Sequence, residues 1–368
     1  MTLQIIRETK TMFKNARDYG PLNVYMRSQR TMLFSAGTYN LLASATDLNN
    51  LRQMLAQTNY HEIIGSEMVK DYPNLIEIDR RLTQNFVDQF NSFRKFVPPR
   101  SQQFITAFGS RFFLNNIKVI LSGLYGANRF EDARGMLISL SEEENRQTES
   151  LFAAKDVPAL ISRLENPALR SALEKVIGEY RYLDIVYPLI IAIDQFYYNS
   201  LCNTMQSLKG VDYRSAKRFF GAQIGIQNLE IILRSKAFGI QPAMVKKWLI
   251  YTQFCPLSQQ LLERFLAAQD FEETFKLIKE ETAFKDLANR LITNLETGLT
   301  PLANFDLYAD QHIVHIANSI FRGASFNITI YPAFFFLKEI EIRNLRTIIL
   351  GKIHDKASEE ILDKIILL

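Results

Sequence analysis

Apolar residues recur at helical offsets along most of the chain. Leu41, Leu42, Leu48, Leu51 and Leu55 do so, as do Leu160, Ile161 and Leu164, and Ile342, Leu345 and Ile349. That spacing is the mark of amphipathic helices with one face turned inward. Breakers punctuate the helices at Pro98-Pro99, Gly123 to Gly126, Gly210, Gly239 to Pro242, Pro256, and Gly298 to Pro301. No pair of alternating runs is joined by an Asn-Gly or Asp-Gly turn. NITIY at 327–331 is the one segment compatible with a short strand. The expected class is all-α.

Beneath the periodicity lies an internal repeat. Asn, aliphatic, charged, any residue, Ile, aliphatic describes Asn116 to Leu121 (NIKVIL), Asn228 to Leu233 (NLEIIL) and Asn344 to Ile349 (NLRTII). These copies are 112 and 116 residues apart. A second element, Ala, any residue, Asp and an apolar helix start, begins at Ala45, Ala154 and Ala268, in steps of 109 and 114. From Asp to Asn the separation is 69, 72 and 74 residues. The order is the same each time, so the chain divides into three similar helical units, 1–130, 131–240 and 241–368. Units of this size are too long for tetratricopeptide or HEAT repeats.

The repeated residues suit structural tasks. Asp47, Asp156 and Asp270 stand where a side-chain oxygen accepts an orphan backbone N–H and a negative charge meets the positive helix end. Pro158 fits a first turn, and Glu273 fits the reciprocal position of a capping box. Asn116 is flanked one turn either way by Phe112 and Ile120, Asn228 by Ile224 and Ile232, and Asn344 by Ile340 and Ile348. Such an amide is buried and must find partners or cost about 1–3 kcal/mol. Bonding to the backbone of an adjoining helix, fixing its register, is the expected role.

Composition narrows the picture. The 15 glycines and 11 prolines are few for 368 residues, since average usage is about 12% together. Long helices tolerate that scarcity; a many-stranded fold does not. The 43 Lys+Arg against 39 Asp+Glu leave a net charge of +4, which does not point to nucleic acid. Cys202 and Cys255 cannot build a disulfide framework, so a reducing, cytoplasmic compartment is expected. The N-terminal stretch has no apolar core of signal-peptide length. The longest apolar runs, IVYPLIIAI at 185–193 and AFFFL at 333–337, fall short of the ~18 residues of a spanning helix.

No catalytic constellation emerges. His312 and His315 lie one turn apart with only Asp306 and Asp310 near them in sequence, too few for a metal site and better read as a polar helix face. No phosphate-cradling GxxxxGK[ST] occurs; Gly351-Lys352 is followed by Ile353. Cys202 has no histidine near it in sequence. Trp248, after Lys246-Lys247, reads as core in preference to an interface anchor. No cofactor, metal or catalytic residue is expected. Two classes stay open at this point: an all-α scaffold or adaptor, and an all-α enzyme with a dispersed site.

The C-terminal region sharpens the reading. The run from Lys338 to Lys352, KEIEIRNLRTIILGK, closely resembles the KE-x-E-x-RNLR-x-I-x-x-GK signature of the C subunits of archaeal and bacterial V/A-type rotary ATPases. The eukaryotic homologue is the d subunit of the vacuolar proton pump. NVYMRSQR at 23–30 is similar to that family's Asn-Ala-Arg-x-Arg opening through Asn23 and Arg27, with Arg30 as a following basic residue. Val24-Tyr25 departs from the usual Ala-Arg. YNLL at 39–42, Asp47-Leu48, Tyr60, and the stretch from Leu183-Asp184 to Asp194–Tyr198 continue the likeness over essentially the whole chain.

The resemblance implies a funnel of three helical domains about a pseudo-threefold axis, which matches the independent repeat. It implies a non-catalytic rotor component on the cytoplasmic face of a membrane, with no spanning segment. Its partners would be the foot of the central stalk, formed by the D and F subunits, and the proteolipid ring. Glu339, Arg343 and Arg346 share a helix face opposite the inward Ile342, Leu345 and Ile349. With Lys338 they are the candidate partner contacts. Glu339 and Arg343 also form a favourable i,i+4 pair.

Overall fold

The computed structural model describes residues 2–68, 74–126, 130–280 and 283–368, and among them every regular element is a helix. Helix α1 (Thr2–Thr31) leads the chain. One order of elements then comes three times. The first pass is α2 (Ala36–Ala43), α3 (Leu48–Leu55), α4 (His61–Met68), α5 (Leu75–Phe93), α6 (Gln102–Gly109), α7 (Arg111–Tyr125) and α8 (Phe130–Gly135). The second is α9 (Glu142–Phe152), α10 (Val157–Arg163), α11 (Pro167–Leu183), α12 (Tyr187–Met205), α13 (Gly210–Ala237) and α14 (Pro242–Trp248). The third is α15 (Gln259–Ala267), α16 (Phe271–Glu280), α17 (Lys285–Glu296), α18 (Phe305–Arg322), α19 (Ile330–Ile353) and α20 (Ser358–Leu362). The passes differ where α13 and α19 run unbroken while the first copy is interrupted at Ser110, between α6 and α7.

Local chemistry explains why the order repeats. A serine opens each pass: the N–H groups of Thr38, Glu144 and Leu261 donate to Oγ of Ser35, Ser141 and Ser258. An aspartate opens the next helix. Asn50 N–H donates to Asp47 at 2.8 Å, Ala159 N–H to Asp156 at 2.7 Å and Glu273 N–H to Asp270 at 2.8 Å. Each carboxylate thus satisfies a donor that the first helical turn leaves unpaired. NITIY forms no strand: Ile328 and Thr329 make a turn, and Ile330 and Tyr331 begin α19. The Ile328 N–H donates to Asp212 at 2.8 Å, a side-chain partner where a strand would need a neighbouring strand.

The chain forms two compact units, one of residues 1–30 with 198–337, the other of 31–197 with 338–368. In the first, α13 packs along α18 and against α14 and α15. Its core holds Phe219, Phe220, Trp248, Phe254, Phe265 and Tyr331, each under 2% exposed. Gly221 is required there, because a Cβ would collide with the carbonyl oxygen of Phe254. In the second, α7 packs on α8 and α9, and α20 packs on α2, where Ser358 Oγ donates to the Ala43 carbonyl at 2.7 Å. Tyr39, Tyr60, Phe90, Phe104 and Phe108 fill that core.

Candidate partner-contact site

Helix α19 carries the C-terminal signature, and the structure distributes its charges between the interior and the surface of the second unit. Asn344 is buried, its Nδ2 donating to the Ile366 carbonyl at 2.7 Å and its Oδ1 accepting the Ile366 N–H at 3.0 Å. Asn116 makes the same pair of bonds with Ile138, at 2.8 and 3.0 Å. Asn228 makes them with Ile250, at 3.0 and 2.7 Å. In all three cases the partner lies 22 residues on, in the extended stretch after the short helix that closes the pass. The amides therefore act on main chain, of an extended segment and not of an adjoining helix. An extended segment without a neighbour has both its N–H and C=O to satisfy, and one amide side chain supplies both.

The candidate contact residues fare differently from one another. Lys338 turns inward: its Nζ donates to Glu341 at 2.7 Å and sits 4.7 Å from the ring centre of Tyr60. Glu341 is fully buried and also accepts from the Tyr60 hydroxyl at 2.7 Å and the Phe34 N–H at 2.5 Å. Burial pushes the Tyr60 phenol well above its ordinary value, and the charge of Glu341 adds to the effect. Glu339 pairs with Arg111 at 3.0 Å; that guanidinium also lies over the rings of Phe108, Phe112 and Phe86 at 4.8–5.7 Å. Arg346 pairs with Asp79 and donates to Thr83 Oγ1 at 2.7 Å. Arg343 is exposed. Glu339 and Arg346 keep 40% and 33% of their side-chain surface in solvent, against 10% for Lys338, so the surface charge of α19 is carried by Glu339, Arg343 and Arg346.

Beside Arg346 the helix forms one wall of an apolar cleft of about 230 Å³, lined by Leu75, Ile76, Ile78, Met136, Ile349 and Leu350. The Asp79–Arg346 pair crosses its edge. Equivalent cross-links recur elsewhere. Lys118 of α7 pairs with Asp194 of α12 at 2.5 Å, and Arg234 of α13 with Asp306 of α18 at 3.5 Å. In each case the basic residue stands on the Asn-bearing helix and the acid on the fourth helix of the pass that follows; for α19 the pass that supplies the acid is the first. Burial raises the Asp194 carboxyl, and Lys118 opposes that rise.

Sequence reasoning overlooked Glu341. Its signal was present: an acid between Ile340 and Ile342, one turn beyond Lys338, is a buried acid with its counter-charge on the same helix face. Burial pushes both the Cys202 and Cys255 thiols up, away from the thiolate a nucleophile needs. His312 is half-buried against Phe284, its ring 5.4 Å away, while His315 is exposed. Among the described residues no three of His, Cys, Asp and Glu come together as a metal site, and no helix is long and apolar enough to cross a membrane.

Known proteins resemble this chain along most of its length. The C subunit of the A-type ATP synthase of Methanocaldococcus jannaschii is 22% identical, over 93% of this chain and 85% of its own. The protein of the same name from Thermoplasma acidophilum is 24% identical over 93% and 95%, and that of Methanosphaera stadtmanae 24% over 77% and 73%. The profile of the ATP synthase (C/AC39) subunit family matches residues 22–364, so the match spans all three passes of the helical order and the signature on α19. The chain belongs to the ATP synthase (C/AC39) subunit family.

Proposed function

We propose that this chain is a non-catalytic rotor component of a V/A-type rotary ATPase. It serves as a socket that receives the central stalk, made of the D and F subunits, and seats it on the membrane rotor ring of proteolipids. The observation that carries the reading is the family match over residues 22–364. The threefold order of capped helices supports a pseudo-threefold funnel of three domains, 1–130, 131–240 and 241–368. So do the basic-to-acidic links that run from each pass to the next and from the third back to the first. A cup of repeated helices coupling a shaft to a ring needs shape and surface charge, and no reacting group. The place of action is then the cytoplasmic face of a membrane, held there by the ring.

Glu339, Arg343 and Arg346 are the contacts we assign on α19, because their charges reach solvent. Arginine suits the task through its planar fork, which bonds carboxylates and carbonyls in pairs. The test is capture of the purified chain by a D–F stalk and by a detergent-solubilised rotor ring, at controlled salt. Association with both is expected. Arg343→Ala and Arg346→Ala should weaken it while the melting temperature barely moves, since surface ion pairs contribute about 0–1 kcal/mol. Absence of association with either partner refutes the role. ATP hydrolysis that tracks the purified chain refutes the non-catalytic assignment.

A further inference from the structure

In the first unit, three arginines gather where α1 meets the end of α18. Arg27 and Arg30 stand one turn apart on α1. The Arg30 guanidinium donates to Asn318 Oδ1 at 2.8 Å and lies 4.7 Å from the ring centre of Phe321. Arg322 is one turn beyond Asn318 and adjacent to Phe321, so it shares that helix face. Arg27 Nε donates to Asn23 Oδ1 at 2.9 Å, and Asn23 in turn donates to the Ser325 carbonyl. The residues that position this cluster are therefore amides, a carbonyl and a ring, all neutral. Among the described residues no carboxylate bonds any of the three arginines. Their mutual repulsion is felt: burial lowers the Arg30 pKa, and Arg27 and Arg322 lower it further. Exposed Val24 stands one turn from Arg27 on the same face of α1.

We propose that Arg27, Arg30 and Arg322 form a docking site for a carboxylate-bearing segment of a partner protein. Charge complementarity argues for the acid. Three cations set side by side on neutral supports cost free energy, which the two helix C-termini at Arg30 and Arg322 offset only in part; an incoming carboxylate would offset the rest. The form of the cluster argues for a protein over a lipid surface. Polybasic lipid-binding stretches carry about 4–8 flexible cations, whereas here the planar forks of Arg27 and Arg30 are held by Asn23, Asn318 and Phe321 beside the exposed Arg322, an arrangement that favours bidentate bonds to discrete carboxylates. Val24 adds the apolar contact that a protein interface uses. The inference rests on the proposed function only for which partner carries the acid, the stalk or the ring.

The test uses the full chain and an oligo-glutamate peptide as probe, with phosphatidylserine vesicles in parallel, by titration calorimetry and co-sedimentation at fixed low salt. The wild-type chain is expected to bind the peptide. Arg322→Glu should bind it at least about tenfold more weakly, with unchanged helicity and melting temperature. Lys175→Glu changes the net charge equally, on an exposed helix face of the other unit, and should bind normally. Equal weakening in both variants, unchanged binding in Arg322→Glu, or wild-type binding to vesicles alone each overturns the proposal. Stalk and ring capture by the same variants separates the two readings. If wild type and Arg322→Glu are captured equally, the docking site is wrong and the rotor role stands. If neither is captured while peptide binding still depends on Arg322, the rotor role is wrong and the docking site stands.

Discussion

Replacing Asn228 by alanine tests the physical basis of the threefold order. The change removes two hydrogen bonds, of 3.0 and 2.7 Å, to the main chain of Ile250. Asn228 and Ile250 are at most 2% exposed, so the freed N–H and C=O have no water to turn to. At about 1–3 kcal/mol for each orphaned group, the loss is about 2–6 kcal/mol. Asn228→Leu restores the side-chain volume but neither bond and should lose a similar amount, which separates bonding from packing. Urea unfolding read by fluorescence is the assay, because the single tryptophan, Trp248, is buried two residues before Ile250. Asn116→Ala and Asn344→Ala, whose bonds are 2.7–3.0 Å long, should cost as much by circular dichroism. A loss below about 1 kcal/mol in Asn228→Ala, with Trp248 emission unchanged, would show that the amide pair is dispensable.

The other predictions concern charge. Glu341→Leu strands the Lys338 ammonium inside the second unit and should cost about 3–5 kcal/mol in urea unfolding, with Lys338→Met in the same chain recovering much of it. Asp47→Ala, Asp156→Ala and Asp270→Ala should each cost about 0.5–2 kcal/mol, and substitution by Asn little, since an amide oxygen still caps the turn. Burial, with His315 and Arg218 adding to it and Asp286 opposing it, holds His312 below its ordinary value. The unfolded chain therefore takes up the proton first, so this contribution is whole above about pH 6.5 and is lost as pH falls from there; His312→Asn should flatten that slope. Bonds from Arg80 and Arg81 hold the Glu77 carboxyl down at about 2. Its small surface contribution persists above about pH 4.5 and disappears as pH falls toward about 2, a second acid limb that Glu77→Gln should remove.

What could be read from the residues follows the distance over which each interaction acts. The Asp caps act over three residues, so a helix-start pattern was enough to assign them, and the same holds for the all-α class. The Asn positions were marked as buried amides by Phe112, Ile224, Ile340 and their counterparts one turn on. Their partner was not legible, because Ile138, Ile250 and Ile366 are ordinary aliphatic residues and their backbone does the bonding. The interrupted first copy of the long helix, at Ser110, was announced only by the Gly109-Ser110 pair, a weak signal because Gly221 and Gly225 stand inside the unbroken α13. NITIY misled through β-branched residues, whose preference yields when Asp212 and the first turn of α19 offer the backbone other partners.

The surface of α19 shows where the limit falls. Lys338, Glu339, Arg343 and Arg346 look alike as charges on a periodic helix, and helical spacing alone places three of them on one face. Which charge stays in water depends on what is brought alongside, and those residues are far away in the chain: Tyr60 at 281 residues from Glu341, Arg111 at 228 from Glu339, Thr83 at 263 from Arg346. Lys338 goes inward because Glu341 sits one turn beyond it and Tyr60 offers its ring; Arg346 is held at the edge because Asp79 meets it there. A charge already satisfied by its own chain has less to give a partner, since binding must then break a bond before making one. By that criterion Arg322, exposed and bonded to no carboxylate among the described residues, is better placed to bind than Arg346, although only Arg346 lies in the signature. Family motifs and unmet charge are separate signals, and association measurements on Arg346→Ala and Arg322→Glu side by side weigh one against the other.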